Sequence, residues 1–316
     1  MAISVSPVVE VLRKDFSHSD NGDILCNESI DIKFDGKILH LSQVWENGEE
    51  LAPIFSGACW AGTVVWQAAL DLCNYVSKHL RDDLPGATVV ELGAGIGVPG
   101  MIARLLGAKV VLTEQDELLS LMQRNIDANF FGDKEIRCKT LDWGRAADTD
   151  DLLDSLVPTP STTSASRVTT IKEVDDAIDG AVDIGELGVC AGEGRGDRCL
   201  DLVLCADCVY EPLYGNSWKT LVQVMRRLGG RGTRILTSVE RRNKDGVPEF
   251  LQACRNEGFD VRQVWHSVEG AASVVEIHEL HSHLAQAEHQ EQCGDYLETT
   301  DPPEKKITYL EGPGPT

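Results

Sequence analysis

Val89-Val90-Glu91-Leu92-Gly93-Ala94-Gly95-Ile96-Gly97 is a solid apolar run that breaks into alternating glycines, and Val98-Pro99-Gly100 follows it directly. A run of this kind reads as a strand buried on both faces of a parallel sheet. The glycine turn behind it lets a ligand approach the backbone and face the first amides of the next helix. Two registers are open. Gly95, Gly97 and Gly100 satisfy G-x-G-x-x-G, the fingerprint of a nicotinamide- or flavin-binding domain. In that register the first glycine falls two residues late, and Pro99 in the first helical turn has no amide to offer a phosphate. In the other register Glu91, two residues before Gly93, puts a carboxylate at the strand end, where it meets a cationic ligand through hydrogen bonds or ordered water. A structural turn with no ligand is the third reading.

Working outward, helix 98–106, strand 109–113, helix 117–129 and strand 135–141 continue the alternation, the second helix carrying Leu118, Leu121, Met122, Asn125 and Ile126 at its spacing. Strand 200–205, helix 213–228, strand 233–239 and helix 247–257 repeat it, and strands 259–265 and 273–280 have no helix between them, so they form a closing hairpin. The expected fold is α/β and Rossmann-like: a seven-stranded, mostly parallel sheet with helices on both faces. Upstream, helix 62–80 carries Val65, Ala68, Ala69, Leu72, Tyr75 and Val76, and Pro85-Gly86 ends it. Before that, 29–45 alternates about Asp35-Gly36, a hairpin turn signal, and makes an N-terminal β-hairpin extension.

The chain is acidic, with a formal charge of −22. Residues 146–199 hold 12 acids against four bases, and the tail 285–316 holds seven acids and two lysines. The acidity therefore sits mainly in two extensions. Pro158 to Ser166 and the glycine-rich acidic run to Gly196 are too long for an ordinary loop, so 146–199 is expected to be a disordered insertion and 285–316 a disordered tail, with residues 1–284 forming the domain. Leu152 to Val157 and Val174 to Ile178 are candidates for transient helices inside the insertion. This charge balance argues against a nucleic-acid partner and suits a basic protein. No apolar run reaches the length of a membrane span and no secretory signal opens the chain, which reads as cytoplasmic, with the nucleus also open, and monomeric. Ten dispersed cysteines read as reduced thiols.

Three strand ends gather on one edge. Glu114, about 20 residues past the glycine loop, is placed to accept hydrogen bonds from both hydroxyls of a ribose; an acid without a role is its other reading, and Gln115-Asp116 stand beside it. Trp143, after Asp142, walls an adenine or packs in the core. Trp66 raises the same choice between helix packing and a lid. Asp207-Cys208-Val209-Tyr210 follows the strand expected beside the first, at the topological switch point. A carboxylate that orients an amine and an aromatic wall are useful parts for transfer to nitrogen, against a bland cap and packing residue. Cys205 and Cys208 form a single C-x-x-C, and His278, His281 and His283 lack a carboxylate motif, so no metal is expected.

Val64-Val65-Trp66, Glu91-Leu92-Gly93-Ala94-Gly95-x-Gly97, Leu141-Asp142-Trp143-Gly144 and Leu202 to Tyr210, in this order and spacing, resemble the methyltransferase-like protein-lysine methyltransferases of class I. The resemblance covers about Ile30 to Leu280, the insertion excepted. It implies S-adenosyl-L-methionine as cofactor and a protein substrate bearing the target lysine, of the chaperone, ATPase or elongation-factor type. It implies cofactor contacts at Trp66, Gly93, Ala94, Gly95, Glu114, Trp143 and Ala206, beside the Glu91 carboxylate already read at the strand end, and assigns the D-x-x-Y element, Asp207 and Tyr210, to the lysine. The chain departs from the family at Glu114, where Asp is usual, and in the length of the insertion. A methyltransferase for a small molecule or another side chain, and a non-catalytic cofactor-binding module, are the alternatives.

Overall fold

The computed structural model describes residues 8–12, 29–43, 59–156, 200–230, 232–268 and 270–282. A seven-stranded sheet is its centre: β4 (Thr88–Leu92), β5 (Lys109–Glu114), β6 (Ile136–Thr140), β7 (Leu202–Ala206), β8 (Arg234–Glu240), β9 (Phe259–His266) and β10 (Val275–Ser282). Their spatial order is β6-β5-β4-β7-β8-β10-β9. Strands β6 to β8 in that order are all parallel, and β10 runs antiparallel to both β8 and β9. This is the class I methyltransferase order, with the closing hairpin the sequence predicts.

Strict alternation along the strands feeds two cores. Val89, Val110, Leu112, Leu202, Leu204 and Leu236 face α1 (Gln67–His79), α2 (Val98–Leu105) and α3 (Asp116–Phe130). Val90, Val111, Val203, Cys205 and Ile235 face α4 (Ala146–Ser155), α6 (Trp218–Leu228) and α7 (Val247–Asn256). The strands are apolar on both faces because both faces are covered.

β2 (Ser29–Phe34) and β3 (Lys37–Ser42) form the expected hairpin, with Asp35 and Gly36 both at positive φ as a tight primed turn requires. Val44 and Trp45, its expected end, lie outside the described residues. A third strand, β1 (Val9–Leu12), pairs with β2 and is not legible in the sequence. The open edge of β3 is closed by α3: the Asn125 and Asn129 side chains accept from the Ser42 and His40 amides at 2.8 and 2.7 Å and donate to the same residues' carbonyls at 3.1 and 2.9 Å. Two asparagines one helical turn apart therefore pair like a strand with the second half of that edge.

Several boundaries differ from expectation. The 62–80 helix is in fact a 3-10 turn, Cys59–Thr63, followed by α1, because Trp66 takes an extended conformation at the α1 N-terminus. The 213–228 helix is two, α5 (Glu211–Tyr214) and α6, since Gly215 at φ 58° breaks the path. Strand 200–205 begins two residues late. Residues 146–156 do not belong to a disordered insertion: α4 buries Leu152, Leu153 and Leu156 against the second core, which offsets its surplus of acids. Residues 157–199 and 283–316 lie outside the described residues.

Candidate active site

At the carboxyl edge of β4, β5, β6 and β7 lies a cavity of about 330 Å³, within the range typical of ligand pockets. The structure brings to it Trp66, Glu91, Gly93, Ala94, Gly95, Glu114, Trp143, Ala206 and Asp207. Tyr210 is not part of its lining; Tyr214, one turn further on, is.

The floor is the glycine loop. Gly93, Gly95 and Gly97 all have positive φ. At Gly95 the reason is sharp, because a Cβ would stand 2.7 Å from the Gly62 carbonyl oxygen. The 3-10 turn crosses the loop at Gly62, so the loop is gripped from above as well as shaped from within. Gly97 ends the loop as the N-cap of α2, and Pro99 in the helix's first turn has no amide to offer. Gly100 donates to the Glu91 carboxylate at 2.7 Å, and Thr113 donates its hydroxyl to the Glu91 carbonyl at 2.6 Å.

Two carboxyls stand over this floor, and among the described residues neither has a cation partner. Glu91 is 1% exposed. Burial pushes it up to about 8, against the pull of the Gly100 amide. Glu114, at the end of β5, is pushed up to about 8 by burial as well, against the Gln115 amide. Its carboxylate also reaches toward Gly62. Both are groups that burial keeps protonated until a ligand supplies donors or positive charge.

The cavity wall uses Trp143, whose ring edge lies where a Gly93 Cβ would be 3.1 Å away. Asp142 is engaged elsewhere: it accepts from the Gly144 amide at 2.8 Å and from Arg145 Nε at 3.2 Å. Trp66 donates its indole N–H to the Ala61 carbonyl at 2.8 Å and so fixes the turn to the start of α1. Cys208 Sγ lies 3.4 Å from the Leu92 carbonyl. The hydrogen bond with Cys205, and then burial, push the Cys208 thiol up, so it is a packed, protonated contact between the ends of β7 and β4. Among the described residues no cluster of three or more His, Cys, Asp or Glu is set to hold a metal ion, and no helix is long and apolar enough to cross a membrane.

Asp207 occupies the left-handed region at φ 55°, an uncommon conformation that Asp tolerates better than most residues. Its carboxylate is not free. Arg242 donates to Oδ2 at 2.8 Å and Oδ1 at 3.2 Å, and the Glu240 amide donates to Oδ1 at 3.1 Å. Burial pushes Asp207 up, against Arg242. The Arg242 guanidinium lies 5.4 Å from the Trp66 ring centre and 5.1 Å from that of Tyr210. Tyr210 therefore packs on the guanidinium beside Trp66, and of the two rings only Trp66 lines the cavity. The Tyr214 phenol is pushed well up by burial and by the nearby Cys208, Asp207 and Glu114. Gly62 and Tyr214 line the cavity and Arg242 holds Asp207, and none of the three stands out in the sequence. The one available signal was Arg241-Arg242 directly after a core strand in an otherwise acidic chain.

A sheet in this order, with a glycine loop and a buried acid at the end of the next strand on one cavity, defines a class I methyltransferase. The family model for "Lysine methyltransferase" matches residues 56–157. A secreted RxLR effector protein 48 of Plasmopara viticola is 33% identical over 60% of this chain and 83% of its own length. EEF1A lysine methyltransferase 3 of Xenopus tropicalis is 41% identical over 60% of this chain and 62% of its own, and the N-lysine methyltransferase METTL21A of the same frog is 38% identical over 26% and 39%. The chain belongs to the lysine methyltransferase family, whose cofactor is S-adenosyl-L-methionine. It spans less than two thirds of the length of the two named lysine methyltransferases.

Proposed function

We propose that this chain transfers methyl groups from S-adenosyl-L-methionine to a lysine side chain of a non-histone protein. The observation that carries the reading is one cavity lined at once by the glycine loop, Glu91, Glu114, Trp143 and Asp207. The residues fit the cofactor: Glu114 accepts the ribose hydroxyls, Leu141, Trp143 and Ala206 wall an adenine, and Glu91 and the open loop backbone take the amino-acid end. The sulfonium supplies an electrophilic methyl. The chain's own work is positioning. Asp207, held by Arg242 at the mouth, places the amine, and the aromatic stack excludes water from one side. Two relatives are named for lysine on proteins, one of them EEF1A, and the acidic chain suits a basic protein surface.

The test is to incubate the purified chain with methyl-tritiated cofactor and a proteome extract, then hydrolyse and map the label. Tritium in methylated lysine of a protein supports the reading. Label confined to a small molecule or to another side chain overturns it, as does cofactor binding with no transfer to any component.

A further inference from the structure

Asp207, which lines the cavity, and Glu240 beside it are laid out as a cation trap. Asp207 follows β7 and Glu240 ends β8, the adjacent parallel strand. Their side chains are 5% and 18% exposed. With the Trp66 and Tyr210 rings they enclose one position, and Arg242 fills it, bonded to Asp207 at 2.8 Å and to Glu240 at 2.6 Å. The loop that delivers Arg242 is itself fixed. Asp245 accepts from the Arg242 amide at 3.0 Å, from Arg241 Nε at 2.9 Å and from the Val247 amide at 3.0 Å. Arg241 is further tied to Glu276 on β10, and Glu276 to His278. So many charge-assisted bonds hold Arg242 that an incoming lysine cannot displace it cheaply.

A methylated amine must arrive with its lone pair free. Two uncompensated buried carboxylates beside it would bind the ammonium form and hold the proton on. Resting on the proposed lysine reading, we infer that Arg242 is a positioning residue that occupies the Asp207–Glu240 cation site, so that the target lysine is received as a neutral amine beside Asp207. In the step itself the nitrogen lone pair forms the new C–N bond while the C–S bond breaks and its electron pair stays on sulfur. The methylammonium product then loses a proton to water. The other titratable groups facing this position are Asp71 on α1, which feels Glu240, Tyr210 beside the guanidinium, and Tyr214, Cys208 and Glu114 across the cavity.

The experiment compares the wild type, Arg242→Lys and Arg242→Gln as full-length enzymes across pH 6 to 10, on the lysine protein labelled most strongly by the wild type, with cofactor affinity and melting temperature measured in parallel. For R242Q the expected result is a drop of kcat/KM of roughly 10-fold near neutral pH that recovers at high pH, the acid limb moving up by about one unit. R242K, which keeps a cation there, should hold the wild-type limb while losing rate uniformly, because it lacks the planar bidentate fork. A uniform loss in R242Q at every pH overturns the inference and leaves a structural role only. Should R242Q fail to fold, the R242K profile decides: a limb displaced upward in that still-cationic variant overturns the inference, and an unmoved limb supports it. A wild type that labels no lysine would sink the underlying lysine reading instead, a result distinct from an unshifted mutant profile.

Discussion

Two pairs of acids sit on the same sheet edge and are treated in opposite ways. Glu91 and Glu114, at the ends of β4 and β5, are buried without a cation and are pushed up to about 8. Asp207 and Glu240, at the ends of β7 and β8, clamp Arg242 between them. The first pair is electrostatically unfinished, and a cofactor carrying hydroxyls and positive charge completes it. The second pair is complete within the chain, so its carboxylates can shape a substrate site without gripping an ammonium. On the proposed reading, one edge separates binding of the methyl donor from presentation of the acceptor.

The largest effect should come from opening the finished pair. Asp207→Ala strands the Arg242 guanidinium, removes the acceptor at the mouth and places alanine at a positive φ. Methyl transfer should fall at least about 100-fold while cofactor affinity, read by calorimetry, stays within a few fold, and stability should drop by about 3 kcal/mol. Asp207→Asn keeps a residue that tolerates the backbone, and separates strain from charge. If both variants lose cofactor binding in proportion to rate, the two halves of the edge are not independent.

Next comes the unfinished pair. Ribose hydroxyls donating to Glu114 favour its charged form, so the bound carboxyl titrates below the free one and binding releases a proton between the two values. Cofactor affinity should therefore tighten as pH rises from 6 toward 8 and level off beyond. Glu114→Gln should weaken binding by about tenfold and flatten that slope. A slope unchanged in the glutamine variant would remove Glu114 from the ribose.

Glu91 offers a test without ligand. Its folded value lies above the ordinary carboxyl value of 4.5, so between roughly pH 5 and 8 the folded chain keeps a proton that the unfolded chain has released. Its contribution is greatest below the unfolded value and is lost as pH rises through about 8. Glu91→Gln keeps an acceptor for the Gly100 amide and should gain stability relative to wild type by about 1 kcal/mol per pH unit across that window, in denaturant melts. A difference that does not vary with pH would mean that the Glu91 proton is not linked to folding.

The two pairs also differ in how far the sequence reveals them. The glycine loop, Glu91 and Glu114 lie within a single βαβ unit, where strand, turn and helix spacing place them on one edge by local rules alone. Arg242 lies 35 residues from Asp207 and meets it only because β7 and β8 pair in parallel with Ala206 opposite Ser238. No local pattern carries that register. Tyr210 shows the same limit: its place after the strand is legible, but whether its ring faces the cavity depends on the guanidinium that attracts it. The acids of α4 misled by composition: Leu152 to Val157 read as a transient helix at most, yet Leu152, Leu153 and Leu156 are enough to bury one.

The smallest predicted effect tests how the unfinished half is closed. Gly62 and Gly95 press backbone to backbone, but a Cβ added to each meets different matter. At Gly95 it strikes the Gly62 carbonyl at 2.7 Å from a left-handed backbone; at Gly62 it strikes the Leu118 methyl at 2.4 Å, the mobile end of a side chain. Leu118 can turn where a peptide carbonyl cannot. Gly62→Ala should therefore cost about 1 kcal/mol and change cofactor affinity less than threefold, well short of Gly95→Ala, where strain of about 1 to 2 kcal/mol adds to the clash. If Gly62→Ala abolishes binding instead, the 3-10 turn is part of the cofactor site in its own right, and the floor and its cover must be counted as one unit.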